Sequence, residues 1–117
     1  MYKKNLGNKG EQIASAYLEK IGYKILDKNF RKRTGEIDLI ALDTEFDEIV
    51  FIEVKTRRGD SYGYPEESVS ENKIEKITET ANIWLEEKEK DDKSWRIDII
   101  AIELVAEKPK IEHIKNI

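Results

Sequence analysis

The sequence has no cysteine, which rules out disulfides, thiolate metal sites and a cysteine nucleophile. It has one histidine, His113, so no centre can be built from several imidazoles. Any metal must therefore be held by oxygen, which points to magnesium, manganese or calcium. Long apolar runs are also missing, and none approaches the roughly 20 residues of a membrane-spanning helix. Residues 1–8 lack the apolar centre of a signal peptide, so no membrane contact and a cytoplasmic location are expected. Nor is there an excess of basic charge. With 21 Lys and Arg against 25 Asp and Glu, the net charge of −4 argues against strong non-specific binding to nucleic acid. A local basic patch can nevertheless coexist with an acidic back. What remains is a chain of 117 residues, suited to one domain over 1–117 and able to bury a core unaided.

From Gly10 the pattern turns helical. Ile13, Ala14, Tyr17, Leu18 and Ile21 mark one apolar face, and Gly22 is the stop. Residues 23–29 read as a short strand, and Arg31 to Gly35 as a basic turn. Residues 36–42 and 48–56 are β-branched runs flanking a polar turn, which predicts a hairpin. Gly59, Gly63 and Pro65 then mark an irregular loop over 57–67. Ser70 is an expected N-cap, with Lys73 where a capping box would carry Glu. Ile74, Ile77, Ala81, Trp84 and Leu85 line the second helix, and the charged run 86–93 closes it in solvent. A strand over 96–104 follows, and Pro109 is expected to break the chain before a weak strand over 110–114. A helix joining two apolar strands implies a parallel pair, and the hairpin implies an antiparallel one. The expected fold is α/β, a mixed sheet with helices on its faces.

Asp38 and Glu53 interrupt the apolar pattern of the hairpin. Strand side chains alternate, so Glu36, Asp38 and Ile40 share one face, and Phe51, Glu53 and Lys55 share one on the next strand. Ile40 and Phe51 argue against an open face there, which puts the carboxylates at the margin of a covered one. A symmetrical turn with Leu42 facing Ile49 sets Asp38 across from Glu53 and Glu36 across from Lys55, with Cβ atoms about 5 Å apart. Two carboxylates that close repel, and a cation between them removes the repulsion. Magnesium suits such a pair, because it takes one or two carboxylates and keeps several waters. Lys55, roughly 7 Å beyond Glu53, is within reach of a metal-bound water or a phosphate oxygen. Such a set suffices for phosphodiester hydrolysis. The same spacing also fits an ion-pair ladder, with Glu36 on Lys55 and Asp38 solvated. Spacing alone does not choose between them.

The stretch Gly35-Glu36-Ile37-Asp38-Leu39-Ile40-Ala41, followed by Phe51-Ile52-Glu53-Val54-Lys55-Thr56-Arg57, resembles the core of the PD-(D/E)xK nuclease superfamily. More closely, the chain resembles the bacterial UPF0102 family, also called YraN-like. Gly10-Glu11, residues 17–26, Pro65, Val69, Lys73, Arg96-Ile97-Asp98 and His113-Ile114 carry that wider likeness. The resemblance implies a restriction-endonuclease-like fold with an αβββαβ core. It implies Mg2+ or Mn2+ held by Asp38 and Glu53 with the Val54 carbonyl, Lys55 as catalytic lysine, and Glu11 as a further acid from the first helix. On the residues alone, Glu11 also reads as a solvated glutamate favoured by the helix dipole. Glu36, acidic in the family motif, is either an additional acid or a partner of Lys55. The acidic pI of about 5.2 departs from that family's more basic character and lowers the expected affinity for DNA.

Arg31, Lys32 and Arg33 precede the second strand, and Arg57 and Arg58 follow the third. In the hairpin register both clusters emerge beside the acids, which suits phosphate contacts. Charged turn flanks are the plainer reading of the same residues. Tyr62 and Tyr64 are as readily loop packing as stacking platforms. Asp98 is expected to hydrogen-bond structurally, Trp84 and Trp95 to lie in the core, and His113 on the surface. The expected function is a metal-dependent endonuclease acting on DNA, branched or single-stranded. A non-catalytic nucleic-acid-binding module or accessory protein is the rival, and a homodimer is the natural arrangement for cutting both strands.

Overall fold

A sheet whose central strands are apolar on both sides needs cover on both sides, and the two amphipathic helices supply it. A computed structural model describes the backbone of residues 2–58, 69–105 and 108–117, and the side chains of 7–57, 69–104 and 108–117. The elements run α1 (Tyr2–Lys20), β1 (Lys24–Lys32), β2 (Gly35–Asp43), β3 (Glu48–Arg58), α2 (Glu71–Glu87), β4 (Trp95–Val105) and β5 (Lys108–Ile114). They form one sheet in the order β1-β2-β3-β4-β5. β3 and β4 are parallel and joined through α2, and every other neighbouring pair is antiparallel. The result is an α/β fold, a five-stranded mixed sheet flanked by two helices, compatible with a restriction-endonuclease-like fold. No helix among the described residues is long and apolar enough to cross a membrane.

Each helix seals one face. On the α1 side, Ala14 and Leu18 pack with Leu39, Ala41, Val50, Ile52, Ile100 and Ile102. On the α2 side, Ile77, Ala81, Trp84 and Leu85 pack with Ile40, Ile49, Phe51 and Ile97. Both Trp84 and Trp95 belong to this second core, as expected.

Several expected boundaries move. α1 begins at Tyr2 rather than Gly10, because its first two turns are too polar to carry an apolar period. It ends as expected: the Gly22 and Tyr23 N–H groups donate to Glu19 and Leu18, with Gly22 in the left-handed region at φ 97°. Arg31 and Lys32 finish β1, which leaves a turn of only Arg33 and Thr34. Arg57 and Arg58 likewise extend β3, and the rest of the expected loop, with Tyr62, Tyr64 and Pro65, lies outside the described residues. Pro109 does not precede the last strand but lies within β5, opposite Leu104. β5 is an edge strand, where a missing N–H is tolerated.

The β2–β3 register is the one read from a symmetrical turn, from Asp43–Glu48 up to Leu39–Ile52. There the ladder ends. Ile37 and Ile40 both lie in the α2-side core although they are three residues apart, so the strand alternation breaks at Asp38. This irregularity creates the candidate site.

Candidate active site

Where β2 leaves β3, the Val54 N–H has no β2 carbonyl opposite it. The Asp38 carboxylate takes that place, its Oδ2 accepting from Val54 N at 2.8 Å. Asp38 is thereby fixed between the strands. Its carboxyl is also hydrogen-bonded to that of Glu53, which is only 9% exposed. Burial first, and then the negative charge of Glu53, pushes the Asp38 carboxyl up to about 8. Two carboxyls that should repel are thus held together by a proton. The expected opposition of Asp38 and Glu53 is therefore a side-chain contact across the end of a ladder, not a ladder pair.

Glu11 reaches the same neighbourhood from α1. Burial raises its carboxyl pKa, the Asn29 side chain opposes that by hydrogen bonding, and the charges of Glu36 and Glu53 add to the rise. The preceding residue makes the approach possible. Gly10 is buried against β3, and any Cβ there would collide with Thr56 Oγ1. Glu36 faces this group too, but its ion pair is with Arg31 at 3.1 Å, not with Lys55. The expected Glu36–Lys55 pair is absent because β2 and β3 are no longer in register at that level. Lys55 is half-buried, opposite Ala101 of β4.

Lys73 enters the site from outside the sequence motif. Ser70 caps α2 as expected, its Oγ accepting from the Lys73 N–H at 3.1 Å. The Lys73 Nζ then lies 3.6 Å from Glu53 Oε2. Beyond its place in the family likeness, the sequence sign was a lysine in the first turn of a helix, where the dipole disfavours a cation.

The basic clusters lie toward one end of the sheet, although the β2–β3 ladder expected to bring them together stops at Leu39–Ile52. Arg31, Arg33 and Arg57 lie at the end of the sheet where β1 and β3 finish and β2 begins. Arg31 and Arg33 are exposed and Arg57 is half-buried. Arg58 is the last residue of β3, and its side chain lies outside the described residues.

The donor set fits one hard divalent ion bound mainly through water. Asp38 and Glu53 offer carboxylate oxygens in contact, and magnesium usually takes only one or two such ligands. Among the described residues no three acids or histidines converge tightly enough to chelate an ion together. Glu11 is therefore an electrostatic neighbour of the pair, and Glu36 of Glu11, rather than a member of a tight ligand cluster.

A second polar group lies toward the other ends of β2 and β3. Arg96 donates to Asp43 at 3.0 Å, Glu48 at 2.8 Å, Asp98 at 3.0 Å and the Tyr23 hydroxyl at 2.7 Å. Asp98 is fully buried, and its structural role holds: it also accepts the Asn116 N–H and contacts His113 Nε2 at 2.8 Å. Burial alone would raise Asp98, but bonds from His113 and Arg96 outweigh it and hold the carboxyl below the usual range. His113 is not a surface residue. Its side chain is 5% exposed, with Nδ1 on the Tyr17 hydroxyl at 3.1 Å, because β5 pairs it beside Asp98.

Known proteins match almost the whole chain. The model of the uncharacterised protein family UPF0102 matches residues 10–102. A UPF0102 protein of Geobacter metallireducens is 45% identical over 116 residues, covering 99% of this chain and 93% of its own. Another, from Geobacter sulfurreducens, is 45% identical and covers 98% and 89%. A third, from Syntrophus aciditrophicus, is 46% identical over 110 residues, covering 94% and 85%.

Proposed function

The chain belongs to the uncharacterised protein family UPF0102, and from its site we propose a metal-dependent nuclease of the PD-(D/E)xK type that hydrolyses phosphodiester bonds in DNA. The observation that carries this reading is the contact between half-buried Asp38 and buried Glu53. A stable fold gains nothing by pressing two carboxyls together, and such pairs are more often found where function demands them. Asp38 and Glu53 hold Mg2+ or Mn2+, with the Val54 carbonyl beside them. The ion, when bound, supplies an activated water and neutralises charge building on the phosphate. Asp38 gives up its proton to become a ligand. Lys55 orients the attacking water and offers its charge to a phosphate oxygen. Glu11, coupled to Glu53 through space, would add negative charge that favours a cation at the pair. Arg31, Arg33, Arg57 and Arg58 contact the nucleic-acid backbone, and a homodimer supplies the second site that a double-strand cut requires.

A labelled panel of single-stranded, duplex, flap and four-way-junction DNA tests this, incubated with magnesium, manganese or EDTA. Wild type, Glu53→Ala and Lys55→Ala are purified identically. Metal-dependent cutting that both substitutions reduce at least about a hundredfold is the expected result. Equal cutting by all three, or none, rejects the enzyme and leaves a nucleic-acid-binding module, for which the same panel then measures affinity.

A further inference from the structure

Lys73 has no place in the D…ExK arrangement, yet it is the basic group closest to Glu53 among the described ion pairs. It stands in the first turn of α2, where the helix dipole repels a cation. What it gains is Glu53, whose other carboxyl contact, Asp38, brings no positive charge. The two partners also differ in freedom: the Lys73 side chain is 42% exposed and Glu53 only 9%. The carboxylate is fixed and the ammonium can leave.

We propose that Lys73 is an internal counter-ion, holding Glu53 in the metal-free chain and yielding it when a divalent cation binds. The yielded ammonium remains beside the site as a free positive charge for a phosphate oxygen. Metal binding and binding of an anionic substrate are thereby coupled through one side chain. The inference rests on the metal-site reading above and assigns it a positioning residue.

Calorimetric titration with Mn2+ tests it on wild type, Lys73→Met and Lys93→Met. Lys93 is the control, since it pairs with Asp47 in the far turn. Circular dichroism checks that all three are folded. Lys73→Met is expected to bind Mn2+ about fivefold more tightly, the scale of one half-exposed ion pair, and Lys93→Met to match wild type. Affinity for a labelled single-stranded DNA oligonucleotide, measured with Ca2+ to hold cleavage off, should move the opposite way in Lys73→Met. In 13C-methyl-ene NMR of wild type, the Lys73 Cε resonance should shift on adding Mg2+. Mn2+ binding with no change in Lys73→Met, or an unmoved Lys73 Cε, overturns the counter-ion and leaves the metal site standing. No Mn2+ binding by wild type overturns both.

Discussion

Asp38 serves two partners with opposite demands. The Val54 N–H favours a charged carboxylate, whereas burial and Glu53 favour the neutral acid and prevail. The sign of the pH effect follows. An unfolded aspartate loses its proton near pH 3.9, whereas the folded one keeps it to about 8. Across that window the folded chain holds more protons, so the contribution of Asp38 to stability falls as pH rises. Asp43 and Asp98 are lowered instead, so their contributions are complete above the ordinary carboxylate range and are lost only in acid. In EDTA, melting temperature should therefore fall between pH 5.5 and 8.5, and Asp38→Asn should flatten the fall. An unchanged slope in Asp38→Asn removes the group from this role. Asp38 and Glu53 were legible in the sequence because acids stand out in β-branched strands. Glu36 was not, because counting pairs from a symmetrical turn assumes that the ladder continues, and it stops at Leu39–Ile52. Lys73 was hidden for another reason. It is distant along the chain, and only the placing of α2 on the sheet brings it to Glu53.

At the level of elements, the order, the hairpin register and the parallel crossover were all readable from apolar period and turn residues. Helix and strand ends were less so, since the first turns of α1 carry no apolar stripe and Pro109 enters an edge strand without cost. The closeness of α1 to β3 was also unreadable, because a glycine near a helix start has many explanations. Here it has a definite one. Gly10 lets the helix lie on Thr56, and that contact carries Glu11 toward the acids. Gly10→Ala gains helix propensity of about 1 kcal/mol but forces a methyl into Thr56, an overpacking that costs about 1–3 kcal/mol. The expected net result is a loss of stability in urea melts, smaller when Thr56→Ala is added. A loss that Thr56→Ala leaves untouched would show that the contact is not the cause. Ser70→Ala is a second test at this scale, with an expected cost of about 1 kcal/mol for the lost cap of α2.

Seen whole, the sheet separates two electrostatic groups built on opposite principles. The Arg96 group pairs every buried charge: Asp43, Glu48 and Asp98 surround one guanidinium, with Tyr23 and His113 completing the bonds. Among the described residues no buried side-chain polar atom is left unsatisfied. The Asp38–Glu53 group instead brings two acids together, so that charge on Glu53 opposes ionisation of Asp38. Removing Arg96 strands several acids in the interior, so Arg96→Met should cost about 3 kcal/mol or more, roughly 10 °C in melting temperature. Glu53→Gln removes a buried carboxylate charge and keeps an oxygen that can accept from the Asp38 acid, so the metal-free chain should be at least as stable as wild type. Metal reverses the ranking. Saturating Mn2+ should raise the melting temperature of wild type through binding to the folded state. The rise should persist from a lower baseline in Arg96→Met and vanish in Glu53→Gln. Thermal melts of the three proteins with Mn2+ and with EDTA decide the matter. A folded Arg96→Met without the rise would mean that the site depends on the far network for its shape. A rise retained in Glu53→Gln would mean that the ion binds elsewhere.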